Sequence, residues 1–333
     1  MGIKDKIVLN LNIVRNAEDL EGNVFKVRAY DRVIEQIKAL PSRKRIKTVQ
    51  DLEKLGVTGM GDSISTKVAE ILKTGTLEAA KEAKEKVDCF LAISKVHGIG
   101  NVKARDLMKR GICTIEELRA HTDLLNDVQK MGLDHYEHFQ KRIPRAEMER
   151  HEKALKVAFK DFECTISGSY RRGAKSSGDI DLLITTHTST PAPTPTEATK
   201  MFKEAVAQLK QKGYITGILA FGDKKCMAIA KLPRSRTFRR LDIMLTPPEE
   251  YPYAILYFTG SQAFNIGFRG AALAKGYTIN EHRMVPTKGK GKGKAATQSP
   301  PSVPSFKTEK DIFDFLGLRY VKPEDRNENI FAS

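Results

Sequence analysis

The sequence predicts a multidomain protein, with an all-α amino-terminal half followed by an α+β carboxy-terminal half. Apolar residues recur at helical spacing from Val24 to Ile37, and Pro41 closes that segment. Further helices are expected at 49–55, 63–72, 102–108 and 115–118. From about Asp161 the sequence pattern changes to short runs rich in β-forming residues. Strands are expected at 162–167, 180–186, 214–220, 227–232 and 241–245. One more helix, at about 197–212, is expected between the second and third of these runs.

The charge of the chain favours a polyanionic partner. Its 333 residues include 57 Lys and Arg against 41 Asp and Glu, which gives a formal net charge of +16. No apolar run approaches the roughly 18 residues that span a bilayer, so we expect no membrane role. The four cysteines, Cys89, Cys113, Cys164 and Cys226, lie too far apart in sequence for a CxxC site. For a chain of this size we expect no disulfide framework and a reducing, intracellular compartment.

One short motif occurs twice in the helical half. The segments VTGMG at 57–61 and VHGIG at 96–100 each precede a stretch with helical spacing. This is the pattern of a helix-hairpin-helix, in which glycines let backbone amides approach a phosphate at a helix amino terminus. The candidate DNA-binding residues, which would read no base, are Gly59, Gly61, Gly98 and Gly100. A monovalent cation, Na⁺ or K⁺, is expected on the carbonyl groups of Ser94, Val96 and Ile99. The alternative is a pair of purely structural helical hairpins.

The most informative stretch is GSYRRG at 168–173, followed by Gly178-Asp179-Ile180-Asp181. On a strand, residues i and i+2 point to the same face, so Asp179 and Asp181 are expected to project together. Two adjacent carboxylates repel unless cations lie between them, and Mg²⁺ prefers such oxygen ligands. A third carboxylate, Asp242, is expected on a neighbouring strand. We therefore expect two Mg²⁺ ions, with Mn²⁺ as a substitute, at these aspartates. Taken alone, a DxD pair would more often be a surface turn.

These residues resemble the X family of DNA polymerases, in particular its beta-type members, from about residue 23 to 326. The most specific segments are GSYRRGAKSSGDIDLL, LYFTGSQAFNIGFR, ALAKGYTINE and EKDIFDF. The resemblance implies four parts. They are a helical DNA-binding and lyase domain at 1–80, a second helical DNA-binding subdomain at 81–145, a catalytic nucleotidyltransferase palm at 146–246 and a nucleotide-selecting α+β subdomain at 247–333.

The resemblance also implies roles for single residues. Asp179, Asp181 and Asp242 match the family's catalytic metal ligands, and Arg240 matches the arginine beside the third aspartate, a candidate DNA-binding residue. Positions that match nucleotide contacts are Arg142, Ser169, Arg172, Gly178, Tyr257, Phe258, Gly260 and Asn265. Arg269 matches a contact to the template strand. Outside the motif, Tyr257 and Phe258 would be ordinary helix core.

A second activity, removal of a 5′-deoxyribose phosphate, is implied by Lys67, which matches the family's Schiff-base lysine. Lys26 and Tyr30 match a phosphate-binding lysine and a nearby tyrosine. A nucleophilic lysine needs its pKa lowered by burial or by neighbouring cations. Ser63 and Ala79 stand where the family has basic residues, which weakens the expected grip on the 5′-phosphate. The alternative is that Lys67 is an ordinary solvent-exposed lysine on a helix, with no catalytic role.

On this interpretation the chain is a monomeric repair polymerase that fills short gaps in double-stranded DNA with deoxynucleoside triphosphates during base excision repair. The nucleus is the expected location, with the mitochondrion as the alternative, and a DNA ligase and repair scaffold proteins are candidate partners. The rival functions are a template-independent nucleotidyltransferase and a non-catalytic DNA-binding scaffold. Departures from the family pattern are Gln262, Ile266 and His282, together with a Gly/Lys-rich insert at 288–304 that we expect to be mobile.

Overall fold

The computed structural model describes residues 2–41, 46–187, 192–287, 302–328 and 330–331. It divides into two compact units, Met1–Asp134 and His135–Ser333. Among the helices in these described ranges, none is long and apolar enough to cross a lipid bilayer. The part of the Gly/Lys-rich insert from 288 to 301 lies outside the described residues.

The first unit is helical throughout its described residues. Its helices are α1 (Ile3–Glu21), α2 (Val24–Ala39), α3 (Val49–Lys54), α4 (Asp62–Thr74), α5 (Glu78–Ser94), α6 (Asn101–Lys109), α7 (Ile115–Ala120) and α8 (Asp127–Asp134). Helices α1, α5 and α8 are not among those predicted, although Ile7, Leu11 and Val14 of α1 are buried at helical spacing. These side chains pack into one core with α2 and α4.

Both glycine motifs form the turn that starts a helix. Gly61 is the amino-terminal cap of α4, and Gly100 has the same position before α6. Gly59 and Gly98 have φ angles of 80° and 86°, which L-residues with a side chain rarely adopt. A glutamine from another helix holds each turn: Gln36 accepts a hydrogen bond from the Thr58 amide, and Gln129 donates one to the Gly98 carbonyl. The predicted hairpins are therefore present in both copies.

The first unit also contains a disulfide bond. Cys89 on α5 and Cys113 just before α7 are joined at a sequence separation of 24, with their Cα atoms 4.5 Å apart. The expectation of no disulfide is wrong for this pair, because α6 reverses the chain and returns Cys113 to α5. Cys164 and Cys226 are free.

The second unit is built on a five-stranded sheet with helices. In chain order its elements are α9 (Tyr136–Phe139), β1 (Ile143–Pro144), α10 (Arg145–Ala158), β2 (Phe162–Ile166), α11 (Gly168–Arg171), β3 (Ser176–Ser177), β4 (Ile180–Thr186), α12 (Pro195–Gln211), β5 (Ile215–Phe221), β6 (Lys225–Ala230), β7 (Arg239–Leu245), α13 (Tyr251–Thr259), α14 (Gln262–Ala274), β8 (Tyr277–Ile279), β9 (Met284–Pro286) and α15 (Glu309–Phe315). The sheet order is β2-β4-β7-β6-β5. Within it β4 and β7 run parallel, and the other neighbours are antiparallel.

Two cores support this unit. Leu155 of α10 and Phe202 of α12 are buried against the apolar side chains of the sheet. A separate cluster, containing Phe264, Phe268 and Phe313, holds α14 against α15. An all-α region followed by an α+β region with a mixed sheet confirms the predicted fold class.

Candidate active site

Two of the predicted aspartates lie side by side on the parallel strands. Asp181 on β4 is in register with Asp242 on β7. Their neighbours Ile180, Leu241 and Ile243 have no exposed surface, so they fill the core on the opposite face of the sheet. Burying these apolar neighbours therefore fixes both carboxylates on the same free face.

Asp179 lies outside the strand, because β4 begins at Ile180. Its Oδ2 accepts a hydrogen bond from Nη2 of Arg240 at 2.8 Å, in an ion pair. On β7, Arg239 points the other way and pairs with Glu147, so strand alternation leaves Arg240 on the face of Asp242. Among the described residues, no group of three or more Asp, Glu, His or Cys side chains is arranged so that it could hold a metal ion.

The carboxylates of this face carry unfavourable charge. Burial raises the pKa of Asp181 to about 7, and the carboxylates of Asp179 and Asp242 add to the shift. Burial also raises the pKa of Asp242, against the opposing effect of Arg240 and Lys225. Oδ1 of Asp242 is buried and has no hydrogen-bond partner. A hard divalent cation would satisfy such an oxygen and offset the repulsion, so the donor set fits Mg²⁺.

A glycine makes room for Asp181. Gly168 begins α11 with a φ of 59°, directly after β2. A Cβ atom at this position would lie 2.8 Å from Oδ2 of Asp181, closer than real Cβ contacts come. The turn after β2 therefore needs glycine both for its backbone conformation and for the space that Asp181 occupies.

The predicted phosphate contacts gather around the β1–β3 pair. Arg142 Nε donates to the Ser176 hydroxyl at 3.1 Å, and Ser169 donates to the Ser177 hydroxyl at 3.1 Å. A Cβ at Gly178 would lie 3.6 Å from Nη1 of Arg142, so the guanidinium closely approaches that backbone. The result is a concentration of donors beside the aspartates, which suits a polyphosphate.

Arg172 reaches from the end of α11 to the end of α13. Its Nη1 donates to the carbonyl oxygen of Thr259, and burial lowers its pKa. Gly260 follows with a φ of 65°, and a Cβ there would lie 3.3 Å from Nη1 of Arg172. The guanidinium therefore lies close against the glycine backbone.

The remaining predicted nucleotide contacts line a cavity of about 470 Å³ that opens between Arg172 and α14. Asn265 Nδ2 donates to the Tyr257 carbonyl at 2.8 Å. The guanidinium of Arg269 lies over the Tyr257 ring, 5.2 Å from its centroid. Ile266, one of the departures from the family pattern, is 61% exposed in the wall of this cavity. Phe258 borders both this cavity and the one that contains Asp181 and Asp242.

Two further features are absent from the sequence-based site. Lys225 lines the cavity beside Asp181 and Asp242, and it favours the charged form of both. Glu309 of α15 bridges Arg171 and Arg326, with N–O distances of 2.9 Å on each side. Lys225 could have been suspected as a cation at a strand start, whereas nothing local marks Glu309.

The predicted lyase residues lie in the first unit. Lys67 Nζ donates to the Ser63 hydroxyl at 2.7 Å, and Lys26 is ion-paired with Glu18 at 2.9 Å. Tyr30 is buried, which raises the pKa of its phenol, and the Ser63 side chain hydrogen bonds to it. Ser63 therefore contacts both Lys67 and Tyr30. The carboxylate of Glu18 is the partner that Lys26 would have to exchange for a phosphate.

Comparisons with known proteins cover most of the chain. Family models match as a helix-hairpin-helix domain at 6–77, the fingers domain of DNA polymerase lambda at 92–140, the DNA polymerase beta palm at 142–248 and the DNA polymerase beta thumb at 254–327. DNA polymerase lambda of Rattus norvegicus is 30% identical over 334 residues, which cover 96% of this chain and 56% of that protein. DNA polymerase lambda of Arabidopsis thaliana is 28% identical over 315 residues, 90% of this chain and 57% of its own length. The chain thus spans a little over half the length of these curated relatives.

Proposed function

Because the chain belongs to the X family of DNA polymerases, we propose that it is a DNA-directed DNA polymerase that fills short gaps with deoxynucleoside triphosphates. The observation that carries the proposal is the register of Asp181 with Asp242, which leaves two buried carboxylates on one free face. The palm and thumb models are beta-type, whereas the fingers model and the relatives are lambda-type, so the matches support the family without singling out its beta-type members. We favour a beta-type arrangement of lyase, DNA-binding, palm and nucleotide-selecting parts.

In this proposal the aspartates prepare the reacting oxygens. Asp179, Asp181 and Asp242 would hold two Mg²⁺ ions, which supply charge stabilisation at the attacking and leaving oxygens. Asp242, whose Oδ1 lacks a partner, would accept the proton of the primer 3′-hydroxyl. Asp179 would exchange its ion pair with Arg240 for a metal contact, and Arg240 would remain beside the site as a counter-charge.

The triphosphate and the base would be bound by separate groups. Arg142, Ser169 and Arg172 offer donors for phosphate oxygens, and Gly178 leaves the backbone open between them. Tyr257 and Phe258 would face the sugar beside Gly260. Asn265 would donate to the minor-groove acceptor that every base pair presents, which suits a sequence-independent check of pair shape. Arg269 would contact the template strand.

A gap-filling assay of the Asp242→Asn variant tests the assignment of Asp242 to the polymerase site. The substitution keeps the size of the side chain and removes its charge, so extension of a primer in gapped DNA should fall by at least about 100-fold. Asp223→Asn is a matched control, because Asp223 is an exposed aspartate of the same unit. Unchanged extension by Asp242→Asn would exclude the assignment. Equal extension of a primer with and without a template would instead favour the template-independent rival.

We also propose a lyase activity through Lys67, on the contact that Ser63 makes with both Lys67 and Tyr30. The Lys67 amine would attack C1′ of a 5′-deoxyribose phosphate, and β-elimination would release the sugar phosphate. Borohydride reduction should trap wild-type protein on such DNA, and Lys67→Ala should not be trapped. Lys73→Ala, an exposed lysine of the same helix, should be trapped as wild type is. Equal trapping of the Lys67 and Lys73 variants would assign the chemistry to another amine.

The biological setting follows from these activities. Gap filling and sugar-phosphate removal are consecutive needs of base excision repair, so we propose a nuclear protein, with the mitochondrion as the alternative, and a DNA ligase as a partner. The two hairpins would bind the backbone of gapped DNA through Gly59, Gly61, Gly98 and Gly100. A Na⁺ or K⁺ ion on the carbonyl groups of Ser94, Val96 and Ile99 would support the second one.

A further inference from the structure

The Cys89–Cys113 disulfide closes a loop around the whole second hairpin. Between the two cysteines lie the end of α5, the hairpin turn at 94–100 and all of α6. The backbone amide of Cys113 donates to Glu117 Oε2 at 2.7 Å, which anchors it at the start of α7. The bond therefore ties α5 to α7 across the motif that presents its amides to DNA.

The disulfide is open to solutes from one side. It borders a cleft of about 840 Å³ in the first unit, whose walls include Lys86, Arg105 and Lys109. Cys89 is 7% exposed, whereas Cys113 is intermediate in exposure. Arg105 and Lys109 form no ion pair with any residue that the structure describes. The wall also carries Glu21, Glu82 and Glu85, and Glu21 is ion-paired with Lys86, so Arg105 and Lys109 are the cations of this cleft that are available to an anionic solute.

The free cysteines are poor competitors for this chemistry. Burial raises the pKa of Cys164 and of Cys226 to about 12. Their thiolates are scarce at neutral pH, and Cys226 has no exposed surface. A thiol reagent should thus find the Cys89–Cys113 pair first.

We propose that Cys89 and Cys113 form a thiol-exchange modification site for a low-molecular-weight thiol that carries carboxylates, and that this site controls the second hairpin. Its effect on DNA binding rests on the proposed function. The carboxylates of the thiol would pair with Arg105 and Lys109, while its sulfur reaches the more accessible Cys113.

The exchange is balanced in two steps. The thiolate of the small molecule attacks Sγ of Cys113, the S–S bond breaks, and Cys89 leaves as a thiolate that takes a proton from water. The product is a mixed disulfide at Cys113. A second small-molecule thiolate then attacks the sulfur of the first small molecule in the mixed disulfide. This step releases the Cys113 thiolate and an oxidised dimer of the small molecule. Two small thiols are oxidised, and one protein disulfide is reduced.

Reduction should loosen the hairpin without unfolding the unit. Ile93, Val96, Ile99 and Leu107 are buried, and this packing should hold the hairpin in the fold after reduction. The loop loses only its covalent closure, which restricts the open states of the chain. Amides of the hairpin should then exchange faster, and their hold on a DNA phosphate should weaken.

Reduced glutathione is a suitable probe, because it is a small thiol with two carboxylates. Mass spectrometry of the intact oxidised protein should detect the bond, and peptide mapping after brief treatment should place the mixed disulfide on Cys113. Hydrogen exchange of amides at 94–100 should accelerate by at least about tenfold on reduction, equal to about 1.4 kcal/mol of local opening. Binding to gapped DNA at fixed salt should weaken at least about twofold. The double variant Cys89→Ser/Cys113→Ser should show neither response.

Several results separate the possibilities. Four free thiols in protein kept under mild oxidation would exclude the bond. Equal hydrogen exchange in oxidised and reduced protein, or a reductant response that survives in the double variant, would overturn the proposal. Absence of DNA binding in both redox states would refute the proposed function instead, and the exchange and mass measurements would still test the cysteine site.

Discussion

Replacing Glu309 by Gln should destabilise the second unit, because it removes the carboxylate between two guanidinium groups. Glu309 accepts hydrogen bonds from Arg171 Nη2 on one side and from Arg326 Nη1 on the other. Arg326 has no exposed surface, and the rings of Phe264 and Phe313 lie within 5.3 and 5.5 Å of its guanidinium. Without the carboxylate, a buried positive charge would remain uncompensated.

The size of the effect follows from the pKa of Glu309. The hydrogen bonds and charges of the two arginines outweigh the opposing effect of burial and lower this pKa from 4.5 to about 2. At about 1.4 kcal/mol per unit, the shift corresponds to about 3 kcal/mol in favour of the charged carboxylate. The Glu309 side chain is 7% exposed, so solvent screening reduces this value little. Breaking a buried ion pair by removing one partner costs a similar amount, about 3–5 kcal/mol.

Urea unfolding of the full chain would measure the loss of unfolding free energy. Hydrogen exchange of the amides at 309–326 would show whether the loss is local to this segment. Glu324→Gln is the matched control, since Glu324 is an exposed glutamate of the same segment. Because the folded pKa is lowered, the contribution is fully present above pH 4.5 and is lost as the pH falls toward 2. The difference between wild type and Glu309→Gln should therefore shrink over that interval. A loss below about 1 kcal/mol at pH 7, or a difference that does not change with pH, would refute the reasoning.

Two further predictions concern the palm. Gly168→Ala should lower the rate of nucleotide addition by about 100-fold, because the new Cβ displaces the Asp181 carboxylate, and single-turnover primer extension would measure it. Gly173→Ala, at a similar φ but with open space around it, should cost stability and leave the rate nearly unchanged; equal rates in both variants would contradict the steric argument. Burial lowers the pKa of His151 from 6.5 to about 4, and its Nδ1 hydrogen bonds the Tyr214 hydroxyl at 2.6 Å. Since the folded state resists protonation, wild type should lose about 3 kcal/mol between pH 6.5 and 4, and His151→Gln should lose less by urea unfolding at each pH.

The fold was predictable where local pattern decides structure. The β-rich runs predicted at 180–186 and 241–245 correspond to β4 and to most of β7, because alternating or continuous apolar residues mark buried strands. Helix α5 escaped prediction despite its length. Its first half, Glu78 to Lys86, is mostly charged and alanine-rich, so little apolar period is visible there. The packing of Ala80 and Ala83 in the core supplies what the pattern does not reveal.

The site was predictable only in part, for a related reason. The sequence identifies carboxylates and glycines whose chemistry is unusual in any context. It does not identify Glu309 or the partner of Cys89, because each acts on residues far away in the chain. Arg171 and Glu309 are 138 residues apart, and no local pattern reports such a pairing. Contacts of this kind depend on the completed fold.

The three aspartates differ in the same way, since two are fixed by strand pattern and one is held by a long-range contact. Asp181 and Asp242 are fixed by strand register and by the buried residues beside them, so they cannot separate unless the sheet distorts. Asp179 is one residue outside the strand and is held by the Arg240 ion pair. Two carboxylates are therefore preorganised, and the third is the adjustable one. Cation binding should cost little rearrangement at the sheet and should be felt chiefly as the exchange of Arg240 for a metal at Asp179.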